Sequence, residues 1–193
     1  MLRMKVESIH AEVNGVNLTL KTAPGLFSPR KPDAGTMAML STVELSAGDR
    51  LLDLGCGYGL VGIYAAHVIG PDNVCLLDVD PTAVEMAREN ARSNGLPDLA
   101  ITQSDGFRDF RESEFTKILS NPPYHADFAV AKHFILKGFN RLVIGGEMWF
   151  VTKREKWYRN KLKAVFGGVD VQHVDGYCVC RAEKRRASYA RRR

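Results

Sequence analysis

The sequence has no long apolar run. None of its stretches approaches 18 consecutive apolar residues, and residues 1–7 lack the apolar core of a signal peptide. We therefore expect neither membrane insertion nor secretion, and a cytoplasmic location. Internal repeats and interdomain linkers are also absent, while 45% of the 193 residues are hydrophobic and 25% are charged. A chain of this size can form one domain with a substantial core, which we place at residues 1–182.

Cysteine is scarce and shows no zinc-binding spacing. The four cysteines, at positions 56, 75, 178 and 180, form no Cys-x-x-Cys pair. Free thiols in a reducing compartment are therefore expected. Cys178 and Cys180 could face one side of a strand and share a metal, but no second pair of ligands accompanies them. We therefore expect no metal site.

Positive charge is concentrated towards the C-terminus. Residues 181–193 contain seven Lys or Arg and one Glu, a net charge of +6, whereas the whole chain carries +5. We expect residues 183–193 to form a basic, flexible tail, which either binds phosphate groups or is simply solvated. A second basic segment, residues 153–163, interleaves Trp157 and Tyr158 with six cations. It predicts either RNA contacts or a solvated helix with Trp157 packed inward.

Hydrophobic patterning predicts an opening hairpin followed by alternating strands and helices. Alternating apolar residues flank Asn14-Gly15, a dipeptide typical of tight β-hairpins. Predicted strands then lie at residues 50–53, 73–78, 99–102, 115–119 and 147–152, with helices between them, one of which spans 127–138. The last alternating runs, 169–174 and 177–180, predict an antiparallel hairpin at the sheet edge. The alternation favours an α/β fold with a doubly wound, mostly parallel seven-stranded sheet.

A glycine-rich motif marks the predicted ligand site. The segment Asp53-Leu54-Gly55-Cys56-Gly57-Tyr58-Gly59 lies between a predicted strand and a predicted helix, where doubly wound domains bind nucleotides. An acid precedes the first glycine and no Gly-Lys-Ser/Thr follows the last, which disfavours a phosphate cradle. A carboxylate in this turn suits a positively charged ligand. S-adenosylmethionine, with its ammonium and sulfonium groups, fits that description.

A second motif, Asn121-Pro122-Pro123-Tyr124, follows the fourth strand of the predicted parallel sheet. It resembles the Asn/Asp-Pro-Pro-Tyr/Phe motif of class I methyltransferases that act on a nitrogen attached to a planar carbon. With His125 and the segments 24–28 and 33–36, it resembles the "methyltransferase small" family, which includes bacterial ribosomal RNA guanine-N2 methyltransferases. The resemblance spans about residues 5–182 and implies a Rossmann-like class I methyltransferase fold.

The chemistry of a planar amine indicates which residues contact the group that receives the methyl. The Asn121 side-chain oxygen and the Pro122 carbonyl can each accept an N–H of that amine, which aims its lone pair at the methyl group. Tyr124 offers a ring for stacking. We therefore assign catalysis to Asn121, Pro122 and Tyr124, and substrate binding to Pro123, Tyr124 and His125, although His125 could simply start the next helix.

The cofactor side is assigned from position and resemblance. Asp78 ends the second parallel strand, where an acid can accept both ribose hydroxyls. Asp105 and Gly106 follow the third strand, and the resemblance implies contact with adenine; a ligand-free Asp-Gly turn is the alternative. The resemblance also implies that Phe27 and Thr36 cover the cofactor from the side opposite the glycine loop. The complete predicted cofactor set is Phe27, Thr36, Asp53, Gly55, Cys56, Gly57, Asp78, Val79, Asp105, Gly106 and Asn121.

These assignments predict methylation of the exocyclic N2 amine of a guanine in ribosomal RNA. Tyr124 stands where the family's ribosomal RNA enzymes often have Phe, so adenine-N6 RNA methylation and glutamine-N5 protein methylation stay open. A non-catalytic RNA-binding module is a third alternative, against which the two intact motifs argue. Related guanine-N2 enzymes often carry a second copy of the fold. This sequence has one copy, so RNA contacts would come from the opening hairpin, the basic segment, the tail or a second subunit. The protein would act as a monomer or as a homodimer.

Overall fold

The computed structural model describes residues 7–122 and 128–189. The first antiparallel pair is β1 (Glu7–Val13) and β2 (Val16–Thr22), and helix α1 (Ala34–Leu40) follows. The remaining elements are β3 (Leu51–Leu54), α2 (Leu60–Ile69), a 3-10 turn (Pro71–Asn73), β4 (Val74–Asp78), α3 (Pro81–Ser93), β5 (Ala100–Gln103), β6 (Phe115–Ser120), α4 (Phe128–Arg141), β7 (Leu142–Thr152), α5 (Glu155–Phe166), β8 (Asp170–Val174) and β9 (Tyr177–Glu183).

Seven of the strands form one sheet, in the order β5-β4-β3-β6-β7-β9-β8. The first five of these pair in parallel, and β9 and β8 add an antiparallel hairpin at the edge. The predicted fold class is therefore confirmed. From β3 the chain adds β4 and β5 on one side and then β6 and β7 on the other. The loops after β3 and β6 consequently open into one crevice, which is where such folds bind ligands.

Each face of the sheet is covered by its own apolar cluster. The hairpin β1–β2 and helices α1, α2 and α3 pack on one face, and α4 and α5 pack on the other. Gly62 of α2 sits so close to β4 that an added Cβ would overlap the side chain of Leu76. This close approach fixes the start of α2 against the sheet, beside the glycine loop.

The opening hairpin forms as its Asn-Gly turn predicts, with φ of 47° at Asn14 and 85° at Gly15. It is anchored to the main domain through polar side chains. Asn90 of α3 is fully buried, accepts from the Lys21 backbone N–H at 2.7 Å, and donates to the carbonyl oxygens of Lys21 and Tyr58 at 2.8 and 2.9 Å. One side chain thereby joins the hairpin, α3 and the glycine loop.

Helix α4 and strand β7 extend beyond their predicted limits, and glycine explains both of these differences. Helix α4 continues past Gly138 to Arg141, because Gly138 is a packing contact rather than a helix end: an added Cβ would overlap Met148 of β7. Strand β7 begins at Leu142 rather than at 147, with a register irregularity against β6. Its Gly145 and Gly146 exchange backbone hydrogen bonds with Lys184 at 2.8 Å each, so both glycines belong to the paired strand.

Beyond β9, the described residues continue along α4. The Lys184 ammonium is buried, donates to the Leu142 carbonyl at 2.7 Å and lies 4.9 Å from the centre of the Phe139 ring. Burial lowers the pKa of Lys184. Tyr189 packs edge-on against Phe139, and its hydroxyl donates to the carbonyl of Leu136 at 2.8 Å. Among the helices in residues 7–122 and 128–189, none is long and apolar enough to cross a membrane.

Candidate functional site

A cavity of about 320 Å³ opens at the carboxyl ends of β3, β4 and β6. Twelve of the residues that the sequence predicts for the site line it: Phe27, Thr36, Asp53, Gly55, Cys56, Gly57, Asp78, Val79, Asp105, Gly106, Asn121 and Pro122. The other three predicted residues, Pro123, Tyr124 and His125, lie outside the described residues. The structure thus brings together the predicted residues that it describes, from positions spread over almost a hundred residues of chain.

The glycine loop wraps one wall of the cavity. The N–H groups of Gly55 and Cys56 both donate to the Leu77 carbonyl of β4, at 2.8 and 2.9 Å. Gly57 has a φ of 55°, and an added Cβ would meet no atom within 4 Å. The loop therefore leaves open space beside Gly57 for a ligand. Cys56 is buried, and burial raises the pKa of its thiol well above the ordinary value, so it is not a thiolate nucleophile at neutral pH.

Asp53 places a buried carboxyl group behind this loop. Its side chain is 3% exposed and accepts from the backbone N–H of Gly62, near the N-terminus of α2, at 2.9 Å. Burial, with a further contribution from the charge of Asp78, raises the pKa of Asp53 to about 7. A buried carboxylate without a cation is unfavourable, so a positively charged ligand in the cavity would stabilise its ionised form.

Asp78 stands at the end of β4, on the same wall. Its two oxygens accept from the backbone N–H groups of Gly57, at 2.8 Å, and Asp80, at 3.0 Å. Asp80 itself caps α3 by accepting from Thr82 N–H at 2.8 Å. The Asp78 carboxylate is therefore held rigidly while it faces the cavity, which suits the predicted contact with ribose hydroxyls.

The loop that follows β5 packs against helix α4 beside the cavity. Gly106 has a φ of 57°, and an added Cβ would lie 3.0 Å from the Phe134 ring. Asp105 is exposed and forms a surface ion pair with Arg108 at 3.3 Å. Whether Asp105 contacts adenine stays a prediction.

Asn121, the first residue after β6, has an unusual set of partners. Its amide nitrogen donates both N–H groups, to Asp33 Oδ2 at 2.7 Å and to Thr36 Oγ1 at 2.9 Å. Its oxygen Oδ1 is shielded from solvent and accepts no hydrogen bond from residues 7–122 or 128–189. Ser120 holds the end of β6 in place by donating to the Leu54 carbonyl of β3 at 2.7 Å. A buried acceptor without a donor is costly, so this oxygen is suited to an N–H of a bound molecule.

Several lining residues have no counterpart in the predicted site. Leu26, Val130 and Phe134 add apolar wall, and Asp33 adds a carboxylate. Val130 and Phe134 are four residues apart on α4, and this helical spacing is the signal that could have indicated a shared face. Asp33 and Thr36 have the spacing of a helix cap, and Asp33 does cap α1 by accepting from Thr36 N–H at 2.8 Å.

The basic segment forms α5 next to the carboxyl end of β7, at the same edge of the sheet as the cavity. Trp157 is half-buried and stacks on Phe128, with ring centres 4.3 Å apart and an angle of 14°. The guanidinium of Arg154 lies 5.0 Å from the centre of the Phe128 ring. Lys156 and Lys163 are exposed. Trp157 thus packs against the protein, while Lys156 and Lys163 face solvent.

One group of side chains away from the cavity has the composition of a metal site. The ligand atoms of Glu155, His173 and Cys178 lie within 4.8 Å of one another. Glu155 Oε2 lies 2.9 Å from His173 Nε2 and accepts from the Cys178 thiol at 3.5 Å. Ordinary hydrogen bonds account for this arrangement, and none of the three residues lines the cavity.

Comparison with known proteins identifies the family to which the chain belongs. The family model "Methyltransferase small domain" matches residues 17–181. The chain is 32% identical over 176 residues to the uncharacterized protein YbxB of Bacillus subtilis, covering 87% of each chain. It is 33% identical over 159 residues to ribosomal RNA small subunit methyltransferase C of Cronobacter sakazakii, covering 80% of this chain and 46% of that protein.

A solved structure shows the same relationship. The chain is 28% identical to the 16S rRNA N2 G1207 methyltransferase of Thermus thermophilus, determined with AdoMet (S-adenosylmethionine) and guanosine. The TM-score is 0.86, and the match covers 96% of this chain and 52% of that one. The chain therefore spans about half the length of the ribosomal RNA methyltransferases that it matches.

Proposed function

Because the chain belongs to the methyltransferase small domain family, we propose that it transfers a methyl group from S-adenosylmethionine to the exocyclic N2 amine of a guanine in ribosomal RNA. Its relatives include enzymes named for ribosomal RNA methylation, one of them for guanine N2. A cytoplasmic location, a catalytic domain at residues 1–182 and an RNA-contacting role for the basic residues outside the cavity belong to the same proposal.

The charge of the cavity supports S-adenosylmethionine as the cofactor. Five aspartates contribute to its described lining, namely Asp33, Asp53, Asp78, Asp80 and Asp105, whereas no Lys, Arg or His does. A dinucleotide or a nucleoside triphosphate would bring negative phosphates into this field. A ligand with an ammonium and a sulfonium is favoured instead. When bound, S-adenosylmethionine supplies a methyl group that is already activated by its sulfonium.

The observation that carries the proposal is the unpartnered oxygen of Asn121. A planar amine has its lone pair spread into the attached ring, so it is a poor nucleophile. Asn121 Oδ1 can accept one N–H of this amine, which orients the lone pair and stabilises the positive charge that develops on nitrogen. The Pro122 carbonyl is the predicted second acceptor, and proline brings no N–H of its own to compete for these oxygens. No acid or base is needed for the leaving group, which is a neutral thioether.

The choice of RNA rests on charge outside the cavity. Exposed Lys156, in the first turn of α5, stands at the same sheet edge as the acidic cavity, so this edge combines a site for a cationic cofactor with positive charge for a polyanion. Arg154 and the stacked rings of Phe128 and Trp157 lie at the N-terminal ends of α4 and α5. This arrangement favours a nucleic acid over a release factor as the acceptor.

The test is transfer of labelled methyl from S-adenosylmethionine to small subunits, large subunits, naked ribosomal RNA, transfer RNA and release factor, all from cells that lack this gene. Digestion of the product then identifies the modified unit. We expect label in N2-methylguanosine from ribosomal RNA or a subunit, and transfer that is slower by on the order of a hundredfold or more with the Asn121→Ala variant. Label in N6-methyladenosine or methylglutamine would keep the mechanism and overturn the acceptor. No transfer and no calorimetric binding of S-adenosylmethionine would overturn the enzyme assignment.

A further inference from the structure

The partners of Asn121 assign a function to Asp33, which lies 88 residues earlier in the chain. We propose that Asp33 is a positioning residue: with Thr36, it holds the Asn121 carboxamide in the one orientation that points Oδ1 at the substrate amine. This inference rests on the proposed function of Asn121, and it goes further because it concerns what sets the direction of that side chain.

A carboxamide can be rotated by half a turn with almost no change in shape, which exchanges its oxygen and its NH2 group. Only hydrogen-bond partners distinguish the two orientations. The Asp33 carboxylate can only accept, so an Asn121 oxygen placed 2.7 Å from it would meet another oxygen without a hydrogen between them. The NH2 group must therefore face Asp33, and the oxygen must face the opposite side.

Thr36 completes this arrangement. Its hydroxyl donates to Asp33 Oδ2 at 3.3 Å, which leaves Thr36 Oγ1 free to accept the second N–H of Asn121 at 2.9 Å. Both N–H groups of the amide are thus engaged, while Oδ1 accepts no hydrogen bond within the described part of the chain. Because the protein binds both N–H groups of Asn121, the side-chain oxygen is left to accept an N–H of the substrate.

Helix capping alone does not account for this use of Asp33. The cap of α1 needs only an oxygen that reaches Thr36 N–H at 2.8 Å, and Ser serves that purpose as well as Asp. The same oxygen, Asp33 Oδ2, accepts from Asn121 at 2.7 Å and from Thr36 N–H at 2.8 Å. The hydroxyl of a Ser lies one bond closer to the backbone, so we expect it to keep the cap and to lose the contact with Asn121. The capping contact and the positioning contact can therefore be separated by substitution.

Asp33→Ser is the variant that separates them, because it keeps a capping oxygen and loses the contact with Asn121. We expect kcat to fall about tenfold to a hundredfold, since misdirected reacting groups cost rates of this order. Both substitutions remove one negative charge from the cavity wall, so kcat is compared at saturating S-adenosylmethionine, and the urea midpoint of Asp33→Ser should change little. Asp33→Asn is the matched control, because it loses the same charge while its amide oxygen can replace Oδ2, so its kcat should stay well above that of Asp33→Ser. Thr36→Val should show a smaller loss of kcat in the same direction.

A charge exchange gives a sharper test. Asn121→Asp alone places two carboxylates in contact, and we expect it to lose most activity. In the double variant with Asp33→Asn, the amide at position 33 donates and the carboxylate at position 121 accepts, which is the reverse of the wild type. We expect this exchange to recover about tenfold of the lost kcat. A cap that acts only on α1 would show no such recovery. Recovery supports the proposal, and its absence together with an unchanged kcat in Asp33→Ser overturns it.

A measurement without turnover keeps this result distinct from that of the proposed function. In an NMR spectrum of the protein with ¹⁵N-labelled side chains, the two N–H signals of Asn121, identified by their loss in Asn121→Ala, should exchange slowly with water. Asp33→Ser should expose them to fast exchange, whereas Asp33→Asn should not. Fast exchange in the wild type would contradict the positioning role even if methyl transfer to RNA is observed. Slow exchange that Asp33→Ser abolishes would support it even if the acceptor proves to be a different amine.

Discussion

The buried carboxyl group of Asp53 should make the stability of the ligand-free protein depend on pH in a way that Asp53→Asn removes. Asp53 is 3% exposed, and burial raises its pKa from an ordinary value of 3.8 to about 7. Between these two values, the folded protein holds a proton on Asp53 that the unfolded chain has released. The contribution to stability is therefore fully present below about pH 4 and is lost as the pH rises through about 7.

The size of the effect follows from the two pKa values. Each pH unit between them corresponds to about 1.4 kcal/mol, so the whole difference is on the order of 4 kcal/mol. The amide of Asp53→Asn has nearly the same shape, can still accept from Gly62 N–H, and never becomes charged. We expect the variant to be more stable than the wild type at neutral pH, and its advantage to grow by about 3 kcal/mol from about pH 5 to about pH 8.

The assay is urea unfolding of both proteins across this pH range. The difference between their free energies of unfolding isolates Asp53 from every other titrating group. Glu85→Gln serves as the control, because it neutralises an exposed carboxylate on α3. Its curve should run parallel to that of the wild type. If the curve of Asp53→Asn also runs parallel to the wild type, Asp53 is not the buried acid that the structure describes.

The same group should couple pH to cofactor affinity. A cationic ligand in the cavity favours the ionised form of Asp53, so its binding releases a proton when the pH lies below about 7. The affinity for S-adenosylmethionine should therefore rise with pH between about 5.5 and 7, and then level off. In Asp53→Asn the affinity should be weaker and nearly independent of pH over this interval. A substitution that raises stability while it weakens binding is expected where a site is strained for its ligand.

Three further predictions concern the reaction, the core and the RNA surface. Asn121→Ala should lower kcat by on the order of a hundredfold or more while S-adenosylmethionine still binds in a calorimeter, and retained activity would contradict the role of Oδ1. Gly62→Ala should lower the free energy of unfolding by about 1–3 kcal/mol in urea, because the new Cβ overlaps Leu76, and an unchanged midpoint would show that β4 can shift freely. Lys156→Gln and Lys163→Gln should each reduce the slope of log affinity for RNA against log salt by about one, and unchanged slopes would mean that α5 is solvated rather than RNA-bound.

The fold class and the position of the site could be predicted because they follow from local patterns. The glycine motif and the Asn-Pro-Pro-Tyr motif each follow an apolar strand, and parallel strands place such loops at one edge of the sheet. The limits of α4 and β7 could not be predicted in the same way. Gly138 has the local chemistry of a helix end, and only its contact with Met148 on the sheet shows that it is a packing residue. Gly145 likewise suggests a turn until its pairing with Lys184 is known.

The contact between Asp33 and Asn121 could not be predicted from the sequence at all. Local patterns explain Asp33 as a helix cap and Asn121 as the start of the motif that follows β6, and the structure confirms the cap. The hydrogen bond at 2.7 Å joins residues from two elements that meet only in the folded chain. No periodicity or spacing encodes which end of an amide faces which neighbour. The direction of Oδ1 is a tertiary property, and the structure was needed to find it.

The two least favourable polar groups of the site argue jointly for its ligands. Asp53 is an acid whose pKa is raised by burial, and Asn121 Oδ1 is a buried acceptor without a donor among the residues that the structure describes. Each of these costs stability in the free protein. The first would be satisfied by a positive charge and the second by an N–H group. A cavity that needs both is complementary to a cationic methyl donor beside an amine acceptor, because local energetic cost is expected where function requires it.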